Sequence, residues 1–143
     1  MARNIIDLPT LGDDGKLYRD TAVDMVESLI PNLWKSCHAP DLLELENGDL
    51  LCCWFAGSRE GNADISIAVA RLPADAEQWE QPVIVSDDPT RSEQNPSLFQ
   101  NPNGDIWLMY TAQAAKKPDD NSDDSLQGTA EIRRKISRDG GRT

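Results

Sequence analysis

The sequence predicts an all-β chain of four-stranded antiparallel sheets, laid out as about two blades of a β-propeller. Three observations carry this expectation. Short runs rich in Leu, Ile, Val and Trp are separated by Asn-Gly, Pro and Asp clusters, which is how short strands and hairpins are written. No segment keeps a 3.6-residue apolar stripe for four turns. The chain also repeats itself with a period of 56 residues, the separation of Pro40 from Pro96. A repeated unit of this size holding four strands is a propeller blade.

The elements follow in order. Residues 1–24 mix Gly12-Asp13-Asp14-Gly15 with Pro9 and scattered charges and show no sustained period, so they are expected to be an arm or linker. The domain is expected over 25–143, with blade one at about 39–86 and blade two at about 94–143. Strands are expected at 26–30, 39–45, 49–56, 65–70, 82–85, 96–100, 105–112 and 129–137. The repeat places Pro40, Leu42 and Asn47-Gly48-Asp49 over Pro96, Leu98 and Asn103-Gly104-Asp105 without a gap. Each copy therefore reads as a strand, an Asn-Gly turn whose first two residues accept positive φ, and a second apolar strand. A loop, a third strand and another tight turn follow, at residues 73–82 in the first copy and 137–143 in the second. Two blades cannot close a ring, so the sequence reads as the N-terminal piece of a longer protein, inactive by itself.

Composition removes some functions. The net charge of −11 repels phosphate backbones and anionic lipid, which excludes nucleic acid and membrane surfaces as partners. The basic run Arg133-Arg134-Lys135 is short enough to be one solvated strand face. The N-terminus lacks the apolar stretch of a signal peptide, and no run approaches a membrane span, so a cytoplasmic chain is expected. Cys37, Cys52 and Cys53 are odd in number, and neighbours in a strand point to opposite faces, so no structural disulfide is expected. One histidine and no paired-cysteine motif leave no transition-metal site, and no cofactor is expected. Asp119-x-Asn121-x-Asp123 imitates the start of a calcium loop, but Asp124 stands where Gly is needed and Ala130 where Glu is needed. A solvated insertion is the expected reading of that stretch.

Ser137-x-Asp139-x-Gly141-x-Thr143 matches the start of the Asp-box turn. Ser36-Cys37-His38-Ala39-Pro40, Asn47-Gly48-Asp49-Leu50-Leu51, the run from Trp54 to Gly61 and Asp64-Ile65-Ser66-Ile67 accompany it in order. From about Val26 to Thr143 the chain resembles the BNR-repeat, sialidase-like proteins of the sialidase (neuraminidase) superfamily. The resemblance implies a six-bladed propeller, an acidic sugar or glycan as carbohydrate partner, and exo-glycosidase activity in the intact parent. A polysaccharide lyase using His38 and a propeller that only binds glycans or proteins are the alternatives.

Within the resemblance, one rim collects His38, the loop from Ser58 to Asp64, Gln94-Asn95 and residues 113–128, while the Asn-Gly hairpins and the Asp-box lie on the other. His38 stands where sialidases carry the first of three arginines that grip the substrate carboxylate. An imidazole has no guanidinium fork, but it can take or give a proton near neutrality. Asp64 matches the acid/base aspartate, or serves as a strand cap. His38 and Asp64 are the candidate catalytic residues; Arg59, Glu60 and Asn95 are the candidate substrate-binding residues. Asp139 is expected to be structural, accepting turn N–H groups. Trp34, Trp54, Trp79 and Trp107 are expected to pack blades, with Trp34 near the rim.

Overall fold

The computed structural model describes residues 12–20, 22–117, 119–120 and 126–143. Among these described residues, nine strands and a short 3-10 turn at Gln127–Thr129 are formed. β1 (Tyr18–Asp20) pairs with β2 (Met25–Glu27). β3 (Ser36–Glu44), β4 (Leu50–Gly57), β5 (Ser66–Leu72) and β6 (Val83–Ile84) form an antiparallel sheet in chain order. A second sheet holds β7 (Arg91–Gln100), β8 (Ile106–Ala114) and β9 (Glu131–Ser137), again antiparallel and in order.

Both Asn-Gly hairpins fall where the repeat puts them, but their geometry differs from the expectation. Positive φ occurs at Gly48 (86°) and Gly104 (91°), not at the asparagines. Gly48 N–H donates to Leu45 O at 2.8 Å and Leu45 N–H to Asp49 O at 2.8 Å; Gly104 with Asn101, and Asn101 with Asp105, repeat this at the same distances. These are three-residue loops, a turn followed by a left-handed glycine. The asparagines contribute through their side chains, Asn47 Oδ1 accepting from Asp49 N–H at 3.1 Å and Asn103 Oδ1 from Asp105 N–H at 3.0 Å.

β3 and β7 start earlier than expected, because each contains a β-bulge. Pairing passes from His38↔Phe55 directly to Asp41↔Cys53, and from Gln94↔Thr111 to Ser97↔Met109. The extra residues, Ala39 (φ 52°) and Asn95 (φ 51°), are left-handed. Pro40 and Pro96 follow them, since a bulged position needs no ladder N–H. The first bulge also ties the sheets together: Asp41 Oδ2 accepts from Ser97 Oγ at 3.0 Å and from Leu98 N–H at 2.7 Å.

Strand alternation sorts the core into two layers. Leu51, Cys53, Phe55, Ile65 and Ile67 of the first sheet meet Leu98, Ile106, Leu108 and Tyr110 of the second. On the opposite face of the first sheet, Cys52, Trp54, Ala68, Ala70, Leu72 and Trp79 pack together with Leu17, Ile30 and Trp34. Residues from this stretch before β3 are therefore part of the fold. Gly15 N–H donates to Leu29 O at 3.1 Å, Leu17 N–H to Glu77 O at 2.9 Å, and Trp79 N–H to Gly15 O at 2.9 Å. The adjacent cysteines do part to opposite faces, and burial pushes their thiols up, Cys52 to about 11 and Cys53 to about 12.

Candidate functional site

Strand direction defines two poles. At one, β3 begins, β4 ends, β5 begins, β7 begins and β8 ends; the Asn47 and Asn103 hairpins occupy the other. The turn at 137–143 belongs with the hairpins, because Arg71 donates both to Asp49 and to the Gly140 carbonyl. Asp139 organises that turn: Oδ1 accepts from Ser137 Oγ (2.7 Å), Arg142 N–H (3.0 Å) and Thr143 N–H (3.0 Å), and Oδ2 from Thr143 Oγ1 (2.6 Å). These bonds, the Thr143 hydroxyl foremost, hold its carboxyl far below the ordinary carboxylate range. Asp139 is thus used up in the turn.

The other pole, called the rim here, carries the candidates. His38 is exposed, just before the bulge, and its imidazole stacks on Phe55 with centroids 5.3 Å apart and planes 13° from parallel. Beside it a groove of about 200 Å³ is walled by Ile30, Asn32, Cys37, Pro40, Cys52 and Trp54. Trp34 stands edge-on to Trp54 at 6.5 Å. A larger cavity of about 470 Å³ lies between the sheets, bounded by aliphatic residues such as Leu51, Val69, Val85 and Leu108. Lys135, Ser137, Arg142 and Thr143 complete its lining, so it lies toward the hairpin pole and includes none of the rim candidates.

Asp64 is exposed, and both its oxygens serve the loop in front of it. Oδ2 accepts from Ser58 N–H at 2.9 Å and Oδ1 from Ser58 Oγ at 2.8 Å, while Asn62 Nδ2 donates to Ser58 Oγ at 3.0 Å. The loop is closed further by Asn62 N–H to Arg59 O at 3.0 Å and Ile65 N–H to Asn62 O at 3.2 Å. Gly61 (φ 91°) is buried against the Lys116 side chain, and its carbonyl accepts from Lys116 N–H at 2.8 Å. Arg59 and Glu60 are exposed on this ordered loop. Asn95 is exposed on the second bulge, with Nδ2 3.4 Å from Thr111 Oγ1. His38, the 58–64 loop and Asn95 therefore share the rim, each with its own immediate partner. The Asn121 and Asp123 positions of the calcium-like stretch lie outside the described residues.

Sequence reasoning missed two features here. Phe55, the ring beneath His38, was legible only through the pairing register. The second is an ionic network under the rim. Glu93, 1% exposed, accepts from Asp88 N–H at 3.3 Å and lies 3.8 Å from Arg133, which pairs with Asp88 at 2.7 Å and Glu131 at 3.1 Å. Burial, then the Glu93 charge, raises the Tyr110 phenol beside it. Arg134 sits 4.2 Å over the Trp107 ring. The basic run is thus partly bound into the fold and is not a uniformly solvated face.

Hydrogen bonds from the Thr90 hydroxyl, and next the Arg133 guanidinium, draw the Asp88 carboxyl down from 3.8 to about 2. A depressed carboxylate stabilises the fold in full above its unfolded value, and that contribution fades as pH falls toward the folded value. Urea midpoints should therefore drop as pH falls from about 4 to 2, the window over which the Asp88 contribution is lost, and go on dropping below it as the more strongly depressed Asp139 protonates; Asp88→Asn should flatten the upper part of that drop. An unchanged pH profile in Asp88→Asn would contradict the assignment.

Comparisons with known proteins agree with this architecture. The family model described as BNR repeat-like domain matches residues 48–143. No curated protein matches the chain. Among solved structures, a Hadza microbial sialidase superposes with a TM-score of 0.59 at 17% identity, over 77% of this chain and 25% of that one. A protein of unknown function from Dyadobacter fermentans does so with a TM-score of 0.57 at 19% identity, over 75% of this chain and 34% of that one. The chain spans a quarter to a third of the length of these structures. Among the described residues no helix is long and apolar enough to cross a membrane. With its repeated hairpins, paired bulges and all-β sheets in the sialidase-like arrangement, the chain belongs to the BNR repeat-like family.

Proposed function

We propose that the rim recognises an acidic sugar, as the carbohydrate-facing end of two blades in a sialidase-like glycosidase. The observation that carries the reading is the convergence on one pole of an exposed imidazole backed by an aromatic ring, an ordered loop bearing Arg59 and Glu60, and the Asn95 amide. Each has a fitting task. The His38 edge donates or accepts a hydrogen bond while its partner ring keeps the imidazole plane fixed. The Arg59 guanidinium matches a sugar carboxylate in a two-pronged bond. Glu60 and Asn95 suit hydroxyl and amide groups.

The engagement of both Asp64 oxygens by Ser58 favours a supporting role for this residue within these two blades, shaping the loop that presents Arg59. That observation supports recognition without turnover as the property of residues 1–143. Saturation-transfer NMR with sialic acid should give contact signals in the wild type that fall at least about ten-fold in affinity for His38→Ala, the scale of one lost hydrogen bond to a charged group. A fluorogenic sialoside should remain uncleaved. Equal binding by the variant would remove His38 from the site, and cleavage that depends on Asp64 would restore the acid/base role.

A further inference from the structure

We propose that Asn103 is a modification site, at which the chain forms isoaspartate much faster than at its repeat-related twin Asn47. In an Asn-Gly pair the main-chain nitrogen of the glycine can attack the side-chain carbonyl carbon of the asparagine. The new N–C bond closes a succinimide, the side-chain nitrogen leaves as ammonia with the proton the glycine nitrogen gives up, and water then opens the ring. Opening at one carbonyl gives aspartate; opening at the other gives isoaspartate, with the main chain running through the former side chain. Water is the only co-reactant.

In the folded state the two sites hold their reacting atoms alike. Each glycine N–H is donated to a carbonyl at 2.8 Å, and each asparagine Oδ1 accepts a main-chain N–H at 3.0–3.1 Å. Reaction at either site must wait for the hairpin tip to open, so the local stability of the tip decides the rate.

The first tip is pinned on several sides. The place a Gly48 Cβ would occupy is 3.1 Å from the Ala74 methyl. The next residue, Asp49, is buried; it accepts from Ala74 N–H at 3.0 Å and from the buried Arg71. Glu46 N–H donates to Gln100 Oε1 at 3.2 Å. At the second tip nothing lies within 4 Å of the corresponding Gly104 position. Asp105 meets Arg138, whose side chain is 76% exposed, at 4.0 Å, and Gln100 Nε2 holds the Gly104 carbonyl at 3.2 Å. Asn103 Nδ2 also donates to Asp105 Oδ2 at 3.2 Å, which places a carboxylate beside the nitrogen that must depart. Asn103 N–H also donates to Asn101 Oδ1 at 2.8 Å, a bond within the tip itself, so the repeat supplies a firmly anchored and a less anchored copy of one reactive pair in a single molecule.

The folded chain, held in mildly alkaline buffer and then mapped by mass spectrometry with separation of isoaspartyl peptides, tests this. Conversion at Asn103 should exceed that at Asn47 by about five-fold or more, the factor that a modest difference in local opening produces. In urea the two rates should converge. Ala74→Gly should speed Asn47 and leave Asn103 unchanged. Equal rates in the folded chain, faster conversion at Asn47, or an Ala74→Gly variant with an unchanged Asn47 rate would overturn the proposal.

Discussion

Phe55→Ala is expected to be the most damaging single truncation in the fold, costing about 3–5 kcal/mol, as loss of a buried phenyl ring does. Phe55 is 2% exposed and sits in the layer that joins the two sheets, with Cys53, Ile67 and Leu108 in the same cluster. The same ring lies under His38. A structural and a recognition role therefore meet in one side chain, and Phe55→Leu separates them. The leucine keeps most of the apolar volume, so stability should fall by about 1–1.5 kcal/mol, near the cost of shape-changing apolar swaps. The flat support of the imidazole is lost all the same. Urea unfolding should rank wild type above Phe55→Leu above Phe55→Ala, with sugar affinity lowered in both variants. A Phe55→Ala protein as stable as wild type would mean that the sheets do not pack as described.

Arg71→Ala is the second large effect. Arg71 is 7% exposed, and deleting it should cost on the order of 3 kcal/mol, because a buried ionic partner is left behind. Its guanidinium holds Asp49 in the first hairpin and the Gly140 carbonyl in the turn of the second sheet. The loss should therefore reach both sheets: hydrogen exchange at residues 47–49 and at 139–143 should quicken together. A combined Asp49→Leu, Arg71→Met variant should recover much of the stability, since well-packed apolar replacements of a buried pair are often neutral. Exchange that quickens in the first hairpin alone would show that Arg71 does not couple the two.

The hairpins were legible because Asn-Gly-Asp recurs in register between apolar runs, and a turn needing one left-handed residue recruits glycine. The bulges were not legible: Ala39 carries no compositional sign of a left-handed backbone, and Pro40 and Pro96 read equally well as strand starts. That is why β3 and β7 extend further toward the rim than expected, to Ser36 and Arg91, and why His38 and Asn95 lie within strands. β1 was hidden for another reason. Its three residues have no period of their own, and the segment before it is held by long-range bonds such as Trp79 N–H to Gly15 O. Glu93 has a charged side chain beside Gln94 and Asn95, and its burial follows from Asp88, Arg133 and Tyr110, which only the tertiary pairing brings together. At the rim, the residue types could be read from the resemblance. A capping role for Asp64 was one of two readings open in the sequence; that Ser58 engages both its oxygens follows only from the folded loop.

The assignment of recognition to the rim is tested most directly by titrating an isotope-labelled sample with sialic acid and following backbone amide shifts. Saturable shifts should concentrate at Cys37–His38, at residues 58–64 and at residues 91–95, and should need at least about ten-fold more sialic acid to saturate in His38→Ala. Shifts confined to the opposite pole, at residues 45–49, 101–105 and 137–143, or no saturable shifts at all, would contradict it.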